Sequence, residues 1–292
     1  MKRTMWVIAG LAGVLLGVAG GVQAKSMSCD RSCLREQLDN YLVAMVAHDP
    51  SKLSLAKKAR FTEDGVEMKL GEGVWKTVTK LRSYRQDFLD TQAGAAAAFV
   101  VLDEGESPAL YVVRLKVVDK KIAEIETQIT RGQREGFIFE VDALQAPSEA
   151  MIFVPLHKDL NSREDAIKIA AKYPEGLKAG SFVAVDAPFA ADAYRFENGR
   201  RMAGKGCVFR PPSCEDIKAQ KIPKLSQLTY RVAVVDEQMG IVLLHLNFGP
   251  GSVGPKDKSL IVWEAFKVYG GQMHAVEAFM KVMPSDAPSG WD

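Results

Sequence analysis

The chain repeats itself, and this constrains its fold more than any other feature. Leu115-Lys116-Val117 leads through a turn to Ile122-Ala123-Glu124-Ile125-Glu126, and Phe266-Lys267-Val268 leads through a turn of equal length to Met273-His274-Ala275-Val276-Glu277. The offset is a constant 151 residues without a gap. Upstream, Arg60-Phe61-Thr62-Glu63-Asp64-Gly65 resembles Arg195-Phe196-Glu197-Asn198-Gly199 at an offset of about 135, so the second copy carries an insertion between the two matches. That insertion holds Cys207, Pro211-Pro212 and Cys214.

Each copy reads in the same order. A helix is expected over Arg31–Ala47, where Leu34, Leu38, Tyr41, Leu42 and Met45 recur at helical spacing, with Asp49-Pro50 ending it. The second copy opens with a helix over Ser162–Leu177, Ser162 as N-cap and Asp165 three residues on. Short polar hairpins follow, then strands at Ala97–Asp103, Ala109–Val118 and Lys121–Arg131. Their counterparts are Leu228–Val235, Ile241–Phe248, Ser259–Val268 and Gln272–Val282. Helices first and an antiparallel sheet last is an α+β pattern. The expected organisation is a leader over 1–24, a first domain over 29–132, a linker over 133–158 with some strand of its own, a second domain over 159–284 and a tail over 285–292.

The leader reads as a secretory signal peptide. Lys2 and Arg3 precede an uncharged apolar run from Met5 to Val22, and Val22-Gln23-Ala24 supplies small residues for cleavage. An uncleaved anchor is the alternative, and the run's five glycines and the cleavage site favour removal. The expected location is periplasmic or secreted, with no stable membrane span after removal. The formal charge of +2 is spread along the chain, which excludes the cationic face that nucleic acid requires. Cys29/Cys33 and Cys207/Cys214 form two local pairs that read as structural disulfides in an oxidising compartment, although spacing alone leaves their connectivity open. C-x3-C and C-x6-C are not standard zinc or redox spacings.

Several segments carry a family resemblance: Cys29–Leu34, Ala47–Ala56, Arg60–Gly65, Lys121–Glu126, the C-x6-C region, Val234–Val242 and Pro288–Trp291. On these the chain resembles secreted bacterial and fungal proteins of unassigned function within the superfamily of nuclear transport factor two-like and SnoaL-like domains. The resemblance implies two tandem cone-shaped domains, each with helices packed on a curved antiparallel sheet around an apolar pocket. It also implies that the copies pair through their sheets as an intramolecular pseudo-dimer. Superfamily members include isomerases, dehydratases and simple binding proteins, so it narrows the shape of a site and not its chemistry.

Within that frame Glu264 is the one charge on the face Leu260-Val262-Glu264-Phe266-Val268, and Val113 takes its place in the first copy. An inward carboxylate has its pKa raised by desolvation and serves as an acid or base near neutrality. A two-residue turn at Gly270-Gly271 would set Glu277 opposite Glu264, and Glu126 opposite Val113 in the first copy. A register change of one residue would turn Glu277 to the other face. His245 is a candidate oxygen ligand or a satisfied core residue. Tyr194, Asp192 and Glu197 form a polar run with substrate-binding potential, and His48 and Tyr41 are lesser candidates for a pocket mouth. No phosphate loop, dinucleotide fingerprint or metal motif occurs, so no cofactor and no metal are expected. The expected function is binding of a small, largely apolar molecule, with isomerase, dehydratase or lyase chemistry by paired carboxylates. The alternatives are a non-catalytic binder and an interaction protein.

Overall fold

The computed structural model describes residues 28–207, 214–252 and 254–291, so the expected leader lies outside the described residues. The fold is α+β, and its two halves share one topology. Half one runs α1 (Arg31–Val46), β1 (Leu55–Glu63), β2 (Val66–Glu67), β3 (Val78–Asp90), β4 (Ala95–Glu104), β5 (Ser107–Val118) and β6 (Lys121–Thr130). After the short helices α2 (Gln133–Gly136) and α3 (Glu149–Ile152), half two runs α4 (Arg163–Ala179), β7 (Phe189–Glu197), β8 (Arg200–Ala203), β9 (Thr229–Asp236), β10 (Ile241–Asn247), β11 (Lys258–Tyr269) and β12 (Gln272–Pro284). The six-stranded sheets have orders β2-β1-β6-β5-β4-β3 and β8-β7-β12-β11-β10-β9. All neighbours are antiparallel except β1 with β6 and β7 with β12, which are parallel.

The long strand β3 carries no clear strand pattern in its sequence. Its Thr79-Lys80-Leu81-Arg82-Ser83 stretch is polar, and its pairing with β4 is interrupted by two irregularities, so no clean alternation announces it. The 133–158 segment holds helical turns and no strand among its described residues, contrary to expectation.

Local chemistry sets each helix. Asp30 caps α1 by accepting from Cys33 N, and the Cys29–Cys33 disulfide closes the same turn. Ser162 caps α4, and Gly180 ends it in the left-handed conformation. Each helix packs on one face of its sheet. In half one Leu34, Leu38, Tyr41 and Met45 join the inner residues of the sheet in one apolar cluster. In half two Ala166, Ala170, Tyr173 and Leu177 do the same. The second disulfide, Cys207–Cys214, lies after β8. No helix among the described residues is long and apolar enough to cross a membrane.

The outer faces of the two sheets form a third cluster, with Phe88, Phe99 and Val112 from half one and Leu243, Trp263 and Phe279 from half two. Phe99 stacks on Phe279 with centroids 4.6 Å apart. The polar contacts across this seam are reciprocal. Arg31 of α1 pairs with Asp236 at the end of β9 at 2.6 Å, and Arg163 of α4 pairs with Asp90 at the end of β3 at 2.7 Å. Asp236 also accepts from Leu89 N at 3.0 Å, as Asp90 accepts from Val235 N at 2.9 Å. Residue i meeting j while j's counterpart meets i's is the pattern of an isologous contact.

Candidate functional site

Strand register decides which candidates meet. A β-bulge between Lys267 and Val268 shifts β11 against β12, so Glu264 lies opposite Ala278 and Glu277 opposite Ala265. The expected Glu264–Glu277 pair therefore does not exist, because the extra residue turns Glu277 to the outer face. Half one has the same bulge at Lys116/Val117, which sets Arg114 rather than Val113 opposite Glu126. Arg114 Nε donates to Glu126 Oε2 at 2.8 Å.

Glu264 faces the half-two core, where it is 2 % exposed. Register makes Phe61 and Arg195 equivalent, since they pair with Ile125 and Val276, which are 151 residues apart. Half one thus has Phe61 and Val113 where half two has Arg195 and Glu264. Arg195 Nη1 donates to the Tyr173 hydroxyl at 3.1 Å, and Arg195 Nε lies 2.8 Å from Glu197 Oε1. Burial is the largest influence on Glu264 and pushes its carboxyl up to about 8 despite the Arg195 cation beside it. Its Oε2 has no hydrogen-bond partner among the described residues. It lines none of the cavities of about 260, 220 and 300 Å³ that open among the described residues.

The remaining candidates are scattered. Glu277 lies in the seam between the sheets, where it accepts from the Tyr194 hydroxyl at 3.0 Å; that hydroxyl also contacts Ser148 Oγ at 2.6 Å. Burial raises the Glu277 pKa against these hydrogen bonds. Asp192 is exposed. His48 is exposed and its Nδ1–H donates to Trp75 O. Tyr41 is buried in half one, its hydroxyl bonded to the Tyr111 hydroxyl at 2.7 Å and accepting from Trp75 Nε1 at 3.1 Å.

His245 stands apart from all of these. It lies on the outer face of β10, edge-on to Trp263 with centroids 4.8 Å apart. Both line the cavity of about 260 Å³, which opens between the halves. From half one come Glu126 and Gln128 of β6; from half two come Arg231, His245 and Trp263; Pro288 and Trp291 close it. Glu126 bridges two guanidiniums, Arg114 and Arg231. Each guanidinium in turn covers an indole, Arg231 at 5.5 Å from the Trp263 centroid and Arg114 at 5.4 Å from that of Trp291. Arg60 covers Trp291 at 4.5 Å, and Trp291 Nε1 donates to Thr62 Oγ1 at 2.8 Å. Burial, reinforced by Arg231 and Arg114, pulls the His245 pKa down to about 3, so the imidazole is neutral at working pH. Gln128 is 3 % exposed, and its Nε2 has no hydrogen-bond partner among the described residues.

The repeat gives this cavity a counterpart at the other end of the seam. Gln128 corresponds to Phe279 and Trp263 to Val112 at the 151-residue offset, and His245, paired with Trp263, corresponds to Phe99, paired with Val112. Where one end leaves a cavity between His245 and Gln128, the other is filled by the Phe99–Phe279 stack. Both ends are covered by chain from outside the repeat. At Gly65 (φ +77°) an added Cβ would lie 2.0 Å from Pro288 O, and at its equivalent Gly199 (φ +92°) 2.2 Å from Glu140 O. Each turn glycine thus admits a covering strap, the 285–291 segment at one end and the linker at the other.

Sequence reasoning singled out His245 but missed Gln128, Arg231, Trp263 and Trp291 as its neighbours. The signal was present in the repeat itself. Read at the 151-residue offset, a glutamine stands against a phenylalanine and a tryptophan against a valine.

The family model described as Domain of unknown function (DUF8021) matches residues 27–129 and 159–280. No curated protein matches. Among solved structures the chain is similar to a candidate isomerase from Bacillus subtilis, with 11% identity over 34% of this chain and 87% of that one and a TM-score of 0.28. It is similar to a candidate ketosteroid isomerase from Kribbella flavida, with 17% identity over 35% of this chain and 80% of that one and a TM-score of 0.26. An NTF-2 like protein of unknown function from Burkholderia xenovorans gives 11% identity over 35% of this chain and 85% of that one, with a TM-score of 0.26.

Proposed function

The chain belongs to the family of the Domain of unknown function (DUF8021), and we propose that it is an extracytoplasmic, non-catalytic small-molecule binding protein built as an intramolecular pseudo-dimer. The ligand site is the crevice at one end of the seam. The observation that carries this reading is the broken symmetry of that seam, with a cavity of about 260 Å³ between His245 and Gln128 where the equivalent positions are filled by stacked phenylalanines. Binding sites combine apolar walls with a few placed polar groups, and this crevice has indoles, a neutral imidazole and an unpartnered amide donor. The groups there are poor catalysts. His245 has too low a pKa to serve as a base near neutrality, and both oxygens of Glu126 are held by arginines. The two disulfides suit an oxidising compartment, and the reciprocal Arg31–Asp236 and Arg163–Asp90 pairs support the pseudo-dimer.

A second reading rests on Glu264, a buried acid with an unpartnered oxygen in a core whose other half is apolar at that position. Here half two performs proton transfer on an apolar substrate, with Glu264 as the acid and Tyr173 and Arg195 beside it. A thermal-shift screen of small apolar and aromatic compounds separates the two, because a ligand of the native state raises the melting temperature. Hits lost in His245→Phe/Gln128→Phe and kept in Glu264→Gln support the crevice. The reverse pattern supports the core acid and refutes the crevice.

A further inference from the structure

The charged groups around the crevice name a ligand class, since its carboxylates are taken and its guanidiniums are not fully so; this inference rests on the crevice being the binding site. The carboxylates on its walls and the Asn247 amide oxygen are engaged. Glu126 Oε1 takes Arg231 and Oε2 takes Arg114. Asp64 Oδ2 takes Lys281 at 2.7 Å and Oδ1 takes Ile129 N at 3.2 Å. Asn247 Oδ1 takes Gly249 N at 2.9 Å and Ser259 Oγ at 2.5 Å. Donors remain available. Gln128 Nε2 is buried without a partner among the described residues, and Arg231 brings a fork of five N–H groups of which the Glu126 oxygen uses one. A buried donor left unmade is costly, so a ligand that supplies an acceptor oxygen gains from it. Arg231 and Arg114 also share Glu126 between them, and an added anion relieves their mutual repulsion.

The walls specify the rest of the molecule. Trp263 and Trp291 line the cavity beside the His245 ring, a lining that favours a flat aromatic body over a branched aliphatic one. The volume of about 260 Å³ lies just under the usual range for drug-sized ligands, so one or two fused rings fit.

We propose that the crevice binds a compact aromatic carboxylate, its ring among Trp263, His245 and Trp291 and its carboxylate accepting from Arg231 and, once the buried amide turns toward the cavity, from Gln128 Nε2. Gln128 acts as the specificity-determining residue, since the isosteric change Gln128→Glu replaces the unpartnered donor with an acceptor and leaves the shape unaltered. The equivalent Phe279 offers no such group, which confines binding to one end of the seam.

The test uses the oxidised, full chain and three probes of one shape: 2-naphthoate, neutral naphthalene and 2-naphthylmethylammonium, titrated by tryptophan fluorescence and calorimetry. The expected result is 1:1 binding of 2-naphthoate, at least about tenfold tighter than either other probe and weakened about tenfold or more by Gln128→Glu. Circular dichroism and the unfolding midpoint verify that the variant is folded. Equal or tighter binding of the neutral or cationic probe, abolished by His245→Phe/Gln128→Phe, overturns the carboxylate inference while leaving the crevice as a site. Binding of 2-naphthoate that neither the Gln128→Glu nor the double variant alters places the ligand elsewhere and overturns the crevice reading itself. Failure of all three probes to bind overturns the aromatic class.

Discussion

The two ends of the inter-sheet seam are built from equivalent strands and differ in what fills them. At one end Phe99 and Phe279 stack, and Glu277 is absorbed by Tyr194 and Ser148 from the linker side. At the other the same positions carry His245 and Gln128, Glu126 is held by two arginines, and a cavity remains. Duplication provides two crevices, and the difference in side chains closes one and keeps the other. The helix-side cores differ in the opposite sense. Half one is apolar around Phe61 and Val113, with its polar groups satisfied in the Tyr41–Tyr111–Trp75 set, while half two carries Arg195 and Glu264. A buried ion cluster is a poor source of stability, so half two is the more conditional of the halves.

The sharpest way to break the comparison is to empty the filled end. Phe279→Ala removes a nearly fully buried ring from a stack and is expected to lower stability by about 3–5 kcal/mol in urea unfolding. Gln128→Ala at the equivalent position is expected to cost about 1 kcal/mol or less, because its amide nitrogen has no partner to lose among the described residues. Comparable losses at both sites would mean that the two ends are packed alike.

The core difference is read through pH. Glu264 has a folded pKa of about 8 against an ordinary value of 4.5, so the folded state holds the proton more tightly than the unfolded chain. Its contribution is fully present below about pH 4.5 and is lost as pH rises through 8, with a slope of up to about 1.4 kcal/mol per pH unit. Glu264→Gln should flatten the stability profile between pH 5 and pH 8 (about the window of that shift) and leave the variant more stable than the wild type at the alkaline end. Val113→Gln in half one should produce no such flattening. A wild-type profile already flat across this window would show that Glu264 is ionised in the fold.

The reciprocal ion pairs sharpen the pseudo-symmetry. Arg31→Ala and Arg163→Ala each strand a nearly fully buried aspartate and should each cost about 2 kcal/mol, discounted because both arginines are about a quarter exposed. Denaturation midpoints that differ widely between the two variants would contradict an isologous seam. The smallest effect is expected at the strap. Trp291→Ala removes two cation–π contacts and one hydrogen bond at the surface, at a cost of about 1 kcal/mol, while speeding ligand dissociation in stopped-flow fluorescence. Unchanged dissociation would detach the strap from the site.

Much of the fold was legible because it rests on local signals: helical spacing with an N-cap at Ser162, glycine turns, and long apolar strands whose 151-residue offset recurs in β5/β11 and β6/β12. Glu264 was legible as an inward carboxylate for the same reason, since alternation along one strand fixes its face. Its supposed partner was not, because a single bulged residue at Lys267/Val268 inverts every face beyond it, and no turn motif reveals a bulge. Strand β3 was hidden by its polar exposed half. The crevice was the least legible feature. Its walls come from β6, β9, β10, β11 and the 285–291 segment, so it exists only once two sheets pack back to back.

The central claim is that one end of the seam is an open site and the other a closed copy of it. The most direct measurement is the melting temperature of the wild type and of His245→Phe/Gln128→Phe, each with and without saturating 2-naphthoate. The double variant copies the phenylalanine pair of the closed end into the open one. The account predicts a ligand-dependent rise in the wild type and none in the double variant, which should melt at or above the unliganded wild type. An equal rise in both proteins, or a double variant that no longer folds, would contradict it.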